Sequence, residues 1–351
     1  MAKSGKYIYG IVNSNTHLQL TIPKSLLPEA NDEPTAAYTI PHQDLAALVR
    51  DCADAGSLPR TQETLARLLV GHQAVIEKIM AQGTTVIPMK LGTYVRDESE
   101  VKAILDEGYP LLKEIMTKIA DKIEIDVVAT WSHFNARVKD AGDGREIKEF
   151  KDKLLSQPGG PTVNDQMKIG RMIKEILDDK RAAVTRDILD RLQAISEAVR
   201  VHDLMDDRMV MNAAFLIARA RHRDFEAKVE ELNRASQEEL DFRCIGPLPP
   251  YSYYTLEAKK LHFEEIERAR RMLGLLQETA TRVEIKDAHR ALALSSHPDT
   301  RSEAPAFEGK FDEITQAYNL LSEYCRTDSC SFKEAEFPRH ALVIKVLGSP
   351  S

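Results

Sequence analysis

Only four cysteines occur in the 351 residues, and no apolar leader follows the opening MAKSGKYIYG. That combination predicts neither a signal peptide nor a disulfide framework, and it points to a reduced, cytoplasmic protein. No apolar run approaches the ~20 residues that a bilayer-spanning helix requires. An excess of positive charge is also missing: the formal net charge is −7, which gives no global pull toward nucleic acid or an anionic membrane. Aromatic residues are scarce, 6% against 29% charged, a balance expected of helix-rich chains with large solvated faces. Catalytic signatures are lacking. There is no GxxxxGK(S/T) phosphate cradle, no GxGxxG after the first strand, no GxSxG and no HExxH, and no carboxylate pair is spaced for acid–base work. The expectation is a non-enzymatic protein without cofactor, metal, nucleic-acid or membrane partner.

What is present is a run of alternating strand and helix patterns. KYIYGIV at 6–12 is rich in β-branched and aromatic residues and reads as a strand. A second short strand falls at 37–40, and 44–50 is left open by its periodicity. A helix is predicted over 61–82, capped by Thr61, with Leu65, Leu68, Leu69, Val75, Ile76 and Ile79 on its apolar face. A strand at 84–88, a helix over 98–120 interrupted or kinked by Pro110, and an alternating strand at 123–131 follow. This first stretch reads as a small α+β sandwich. Gly and Pro in QPGGPTVND then break the chain. Beyond them the pattern predicts a long helix over 165–201, strands at 211–218 and 241–245, a helix over 224–235 between them, a charged helix over 257–273 and a last strand at 340–347.

Between the last two lie two further helices. Residues 282–296 place Ile285, Ala288 and Leu292 inward, and 306–325 place Phe307, Phe311, Ile314, Tyr318, Leu321 and Cys325 on one narrow stripe, as antiparallel packing requires. The tripeptide His297, Pro298, Asp299 joins them. With LGL at 273–275, EIKDAHRALALSSHPD and FDEITQAYNLLSEYC, this segment resembles a J domain, the module that recruits DnaK-type chaperone ATPases. The resemblance implies that His297, Pro298 and Asp299, together with Arg282, Lys286 and Arg290 on one helix face, contact such an ATPase. Ser295 and Ser296 stand where J domains usually carry a basic and an aromatic residue. The plainer reading is a helical hairpin serving as a spacer or docking element.

KYIYGIV at 6–12, TTVIPMKLGTYV at 84–95 and DFRCIGPLPPYSYY at 241–254, in that order, resemble the GvpL/GvpF family of gas vesicle proteins. This chain has Leu91, Gly92, Thr93 where the family pattern reads roughly FGT. The resemblance implies two α+β domains, the first ferredoxin-like, and a minor structural or assembly role in gas vesicles. It also implies the main shell protein and other gas vesicle proteins as partners, and a gas vesicle or cytoplasmic location. The domains are accordingly drawn as 1–140, a linker at 141–160, 161–262 with 338–348, and a J-like insertion at 263–330. The rival function is a J-type co-chaperone with the α+β domains as client platform.

Other candidate residues are weaker. Tyr251, Tyr253 and Tyr254, held by stiff prolines along an extended backbone, offer either a partner-binding surface or a core strand exit. His72 sits in step with apolar residues and reads as a core or interface histidine. His202, Asp203, Asp206 and Asp207 read as a solvated helix end, and Cys325 with Cys330 lacks the second pair that a zinc site needs.

Overall fold

The computed structural model describes residues 5–23, 35–52, 61–156, 161–296, 305–338 and 341–348. Two compact units emerge. Met1–Val75, Met89–Glu114 and Leu256–Leu347 form the first, and Ile76–Pro88, Ile115–Thr255 and Gly348–Ser351 the second.

The chain enters through β1 (Gly5–Val12), β2 (Gln19–Ile22), β3 (Thr35–His42) and β4 (Leu45–Cys52). They form an antiparallel run in the order β2-β3-β4-β1. β4 is the segment whose periodicity settles nothing, and the reason is visible: LAALVRDC is buried on both faces between β3 and β1, so no alternation survives. Helix α1 (Gln62–Met80) follows, its first turn capped by Thr61, whose hydroxyl accepts from Thr64 N at 3.3 Å. Leu68, Val75, Ile76 and Ile79 are buried as expected, but Leu65 and Leu69 are exposed. Then come β5 (Val86–Pro88), β6 (Tyr94–Val95), which pairs with β1, and α2 (Glu98–Ile119), which continues as one helix through Pro110.

β7 (Lys122–Trp131) corrects the sequence-based partition. It does not close the first sandwich; it lies between the strands Met209–Ala218 and Leu240–Leu248 in the second sheet, so the boundary drawn at residue 140 fails. Its second face is covered too, for Glu124 is 1% exposed. After α3 (Phe134–Gly142) and α4 (Arg145–Leu155) comes α5 (Val163–Gln193), opened by a reciprocal capping box between Thr162 and Asp165. The predicted helix over 165–201 overruns, because Val199 keeps the apolar rhythm while belonging to β8 (Ala198–Val201), which pairs with β9 (Met209–Ala218). α6 (His222–Ala235) and β10 (Leu240–Leu248) complete a sheet ordered β10-β7-β9-β8.

A single helical turn, α7 (Tyr251–Tyr254), leads into β11 (Thr255–Lys260), where a continuous helix over 257–273 is predicted; the helix α8 begins only at Phe263 and runs to Met272. Then follow β12 (Thr279–Thr281), α9 (Arg282–Ser296), α10 (Pro305–Tyr324), β13 (Ser329–Ser331) and β14 (Leu342–Leu347). β14 does not return to the sheet of the second unit, as the sequence reading had it; it pairs with β11. The helices α8, α9 and α10 share one core with Leu261 and Val343, so they are built into the first unit and are not an insertion in the second. β11 is further tied to α2, since Lys260 donates to Glu100 at 2.8 Å. Burial works to raise the Glu100 pKa, but bonds from Arg96 and Lys260 hold it at about 2.

Candidate functional site

The hairpin α9–α10 starts from local chemistry. Thr281 and Glu284 cap α9 reciprocally: Thr281 N donates to Glu284 Oε2 at 2.7 Å and Glu284 N to Thr281 Oγ1 at 3.2 Å. Hydrogen bonds from the Thr281 backbone and side chain lower the Glu284 pKa. Ile285 is buried at 1%, with Ala288 and Leu292 packed beside it. On α10, Ile314, Ala317 and Leu321 face the same core, and His289 stacks on Tyr318 with ring centroids 4.3 Å apart. That inward packing leaves Arg282, Lys286 and Arg290 exposed at helical spacing, with Asp287 exposed beside them. His297, Pro298 and Asp299 lie outside the described residues.

Two features of this region escape sequence reasoning. β12 and β13 form a three-pair ribbon, Thr279↔Ser331, Ala280↔Cys330 and Thr281↔Ser329. Cys325 and Cys330 are joined as a disulfide, against the expectation of a chain without one. Their short spacing across a helix end is compatible with such a bridge, but only the fold turns the two sulfurs together.

In the first unit the motif stretches converge on Tyr7. Its hydroxyl lies 2.7 Å from His72 Nδ1, accepts from Gly92 N at 3.5 Å, and its ring meets Tyr94 edge-on. The Arg50 guanidinium sits 5.2 Å from the ring centroid. Burial pushes His72 down to about 4 and Tyr7 upward. The imidazole is therefore neutral at pH 7, and its Nδ1 pairs with the Tyr7 hydroxyl. Gly92 takes φ +84°, a backbone state that side chains resist, which accounts for a glycine in the LGT loop. The group stitches β1, α1 and that loop together, so His72 stands as a core residue.

In the second unit Ser252 holds the corresponding place. Its backbone N and Oγ donate to Glu124 at 2.9 and 2.8 Å, Arg200 donates to its carbonyl at 2.6 Å, and His202 Nε2 lies 3.1 Å from its Oγ. Burial first, then the Asp126 carboxyl, raise the Glu124 pKa. Tyr253 is 4% exposed and donates to Ala214 O at 2.8 Å. The backbone turns helically where an extended one is expected, Tyr253 is core, and the Tyr251 and Tyr254 rings are half-buried. His202 faces Ser252, and Asp206 accepts from Arg208 N and Met209 N in a turn. Among the described residues no cluster of three His, Cys, Asp or Glu could hold a metal.

Buried polar cross-links made by the motif residues, two α+β units and a helical hairpin with an exposed basic face define an α+β protein carrying a J-type hairpin. The chain belongs to the gas vesicle synthesis protein GvpL/GvpF family, whose model matches residues 5–255, and a DnaJ domain matches 271–327. Among relatives, gas vesicle protein F of a Streptomyces species is 28% identical over 70% of this chain and 98% of its own length. Gas vesicle protein F2 of Halobacterium salinarum is 25% identical over 72% and 93%. The fold resembles the crystal structure of gas vesicle protein GvpF from Anabaena, with a TM-score of 0.59 at 23% identity over 71% of this chain and 97% of that one.

Proposed function

We propose that this protein is a non-enzymatic gas vesicle assembly factor that binds the main shell protein and limits its aggregation before it is built into the vesicle. The observation that carries this reading is the family match across residues 5–255. A shell subunit with exposed apolar surface is prone to aggregate until it is assembled, so a binding partner has a physical purpose. Co-expression with the shell protein followed by pull-down tests the reading; no association, together with normal vesicles in a deletion strain, overturns it. The location that follows is the gas vesicle and the cytoplasm. Among the described residues no helix is long and apolar enough to cross a membrane.

A second activity is supported by the exposed row Arg282, Lys286, Arg290 on α9 within the DnaJ match. On this reading the hairpin recruits a DnaK-type ATPase, with shell protein as its client. H297Q is expected to abolish stimulation of the ATPase. Equal stimulation by both proteins, or none by either, rules it out.

A further inference from the structure

The end of α10 is tied back to the start of α9 through a route that neither proposed activity uses. Cys325 directly follows α10 and is 0% exposed, and Cys330 sits at the centre of β13, partly exposed. The two are paired as a disulfide with Cα atoms 5.2 Å apart, a separation ordinary for such a bridge. Cys330 is the register partner of Ala280, whose carbonyl oxygen lies 3.7 Å from Cys325 Sγ and 3.5 Å from Cys330 Sγ. The next residue is Thr281, the cap of α9, and Arg282 N donates to Asp328 O at 3.2 Å. The connection is therefore continuous: disulfide, ladder, cap, then the first basic residue of the exposed face. A ribbon of three residue pairs is too short to be stable alone; the bridge, the packing of Ala280 and Phe332, and the bond from the Tyr324 hydroxyl to Ser331 O together fix it.

We propose that Cys325–Cys330 is a thiol–disulfide switch that sets how firmly the first turns of α9, and with them Arg282 and Lys286, are held. A dithiol reductant opens it in two steps. A thiolate attacks the accessible Cys330 sulfur, the Cys325–Cys330 bond breaks, and its electron pair leaves on Cys325 Sγ, which takes a proton. The second thiol of the reductant then displaces Cys330 from the mixed disulfide, giving two protein thiols and one oxidised reductant. A disulfide oxidant such as oxidised glutathione reverses the sequence by successive exchange, releasing two thiols. In the reduced state both S–H groups still face the Ala280 carbonyl and donate weakly to it, so the ribbon loosens without being discarded. The remaining cysteines, Cys52 and Cys244, are not disulfide-bonded and take no part.

The test uses the full chain and does not depend on the shell-protein or ATPase readings. The protein is equilibrated with oxidised glutathione or with dithiothreitol, its thiols are counted after denaturation, and backbone hydrogen exchange is followed by mass spectrometry. Two thiols are expected after oxidation and four after reduction. Exchange over residues 279–290 is expected to quicken at least about tenfold on reduction, with β7 unchanged. C330S is expected to show the fast exchange whatever the reagent. Four thiols after oxidation, or equal exchange in the oxidised and reduced wild-type protein, overturns the proposal; the wild-type comparison stands whether or not the variant folds.

Discussion

Ser252 gives both its backbone N–H and its hydroxyl to the carboxyl of Glu124, a residue 128 positions earlier in the chain. Those bonds favour the ionised carboxylate, but burial and the neighbouring Asp126 outweigh them and lift Glu124 to about 8. The folded state thus prefers the proton. Stability from this group is complete below the ordinary carboxylate range and is lost as pH rises from there through about 8. Thermal melts should show wild-type Tm falling between pH 6 and pH 9, and Glu124→Gln should flatten that fall by keeping an uncharged acceptor for Ser252. An unchanged slope in the variant refutes the assignment.

Glu100 carries the opposite sign. Its pKa is held at about 2 by Arg96 and Lys260 despite burial, so its contribution is present above the ordinary carboxylate range and is lost as pH falls toward 2. Lys260→Met should leave the Tm at pH 9 less stable than wild type and remove part of the acid-side decline. Acid titration of Tm in the two proteins checks this, and parallel acid limbs would contradict it.

Tyr7→Phe leaves the buried imidazole of His72 without its hydrogen-bond partner at Nδ1. An unsatisfied buried polar group costs about 1–3 kcal/mol, measurable as a lower urea midpoint. Replacing both partners, in Tyr7→Phe with His72→Leu, should cost less than the sum of the single changes. Strict additivity would show that the two residues do not interact.

The sequence displays whatever is local. Ile285, Ala288 and Leu292 mark α9 by spacing alone, and its limits match the structure at Arg282–Ser296. β1 is equally plain, because Tyr7, Ile8, Tyr9 and Ile11 suit a strand buried on both faces. Sheet membership is not local. The alternation of Ile123, Ile125 and Val127 identifies a strand but carries nothing about β9 and β10, whose register partners lie 79 to 124 residues further along the chain. β14 finds β11 for the same unreadable reason. Val199 misleads because an apolar residue fits both a helix stripe and a short strand. In the candidate sites, exposure of Arg282, Lys286 and Arg290 follows from the period of α9, whereas the meeting of Cys325 with Cys330, or of Tyr7 with His72, requires the fold.

The basic row on α9 offers a separation of binding from stability. Lys286 and Arg290 are exposed, so Lys286→Glu with Arg290→Glu should move Tm by little, surface changes of this kind staying within about 0.5 kcal/mol each. Stimulation of a DnaK-type ATPase should fall at least about fivefold, with most of the difference erased at high salt, where exposed charges are screened. Undiminished stimulation would remove the basic face from the recruitment model.

Leu321 tests whether the J-type module and the shell-binding role are separable. It is 0% exposed in a core made by α8, α9 and α10 with Leu261, Phe332 and Val343, a cluster without any residue of β1–β4. Leu321→Ala removes three carbons from that core, and truncations of this kind cost about 2–5 kcal/mol, the amount depending on how far the surroundings collapse. The loss should appear as faster hydrogen exchange in α9 and α10 while β1 and β4 keep their protection. If the α+β units bind the shell protein on their own account, pull-down should survive in this variant as ATPase stimulation disappears. Loss of both together would mean that the hairpin is part of the shell-binding structure, and the two proposed activities would have to be treated as one.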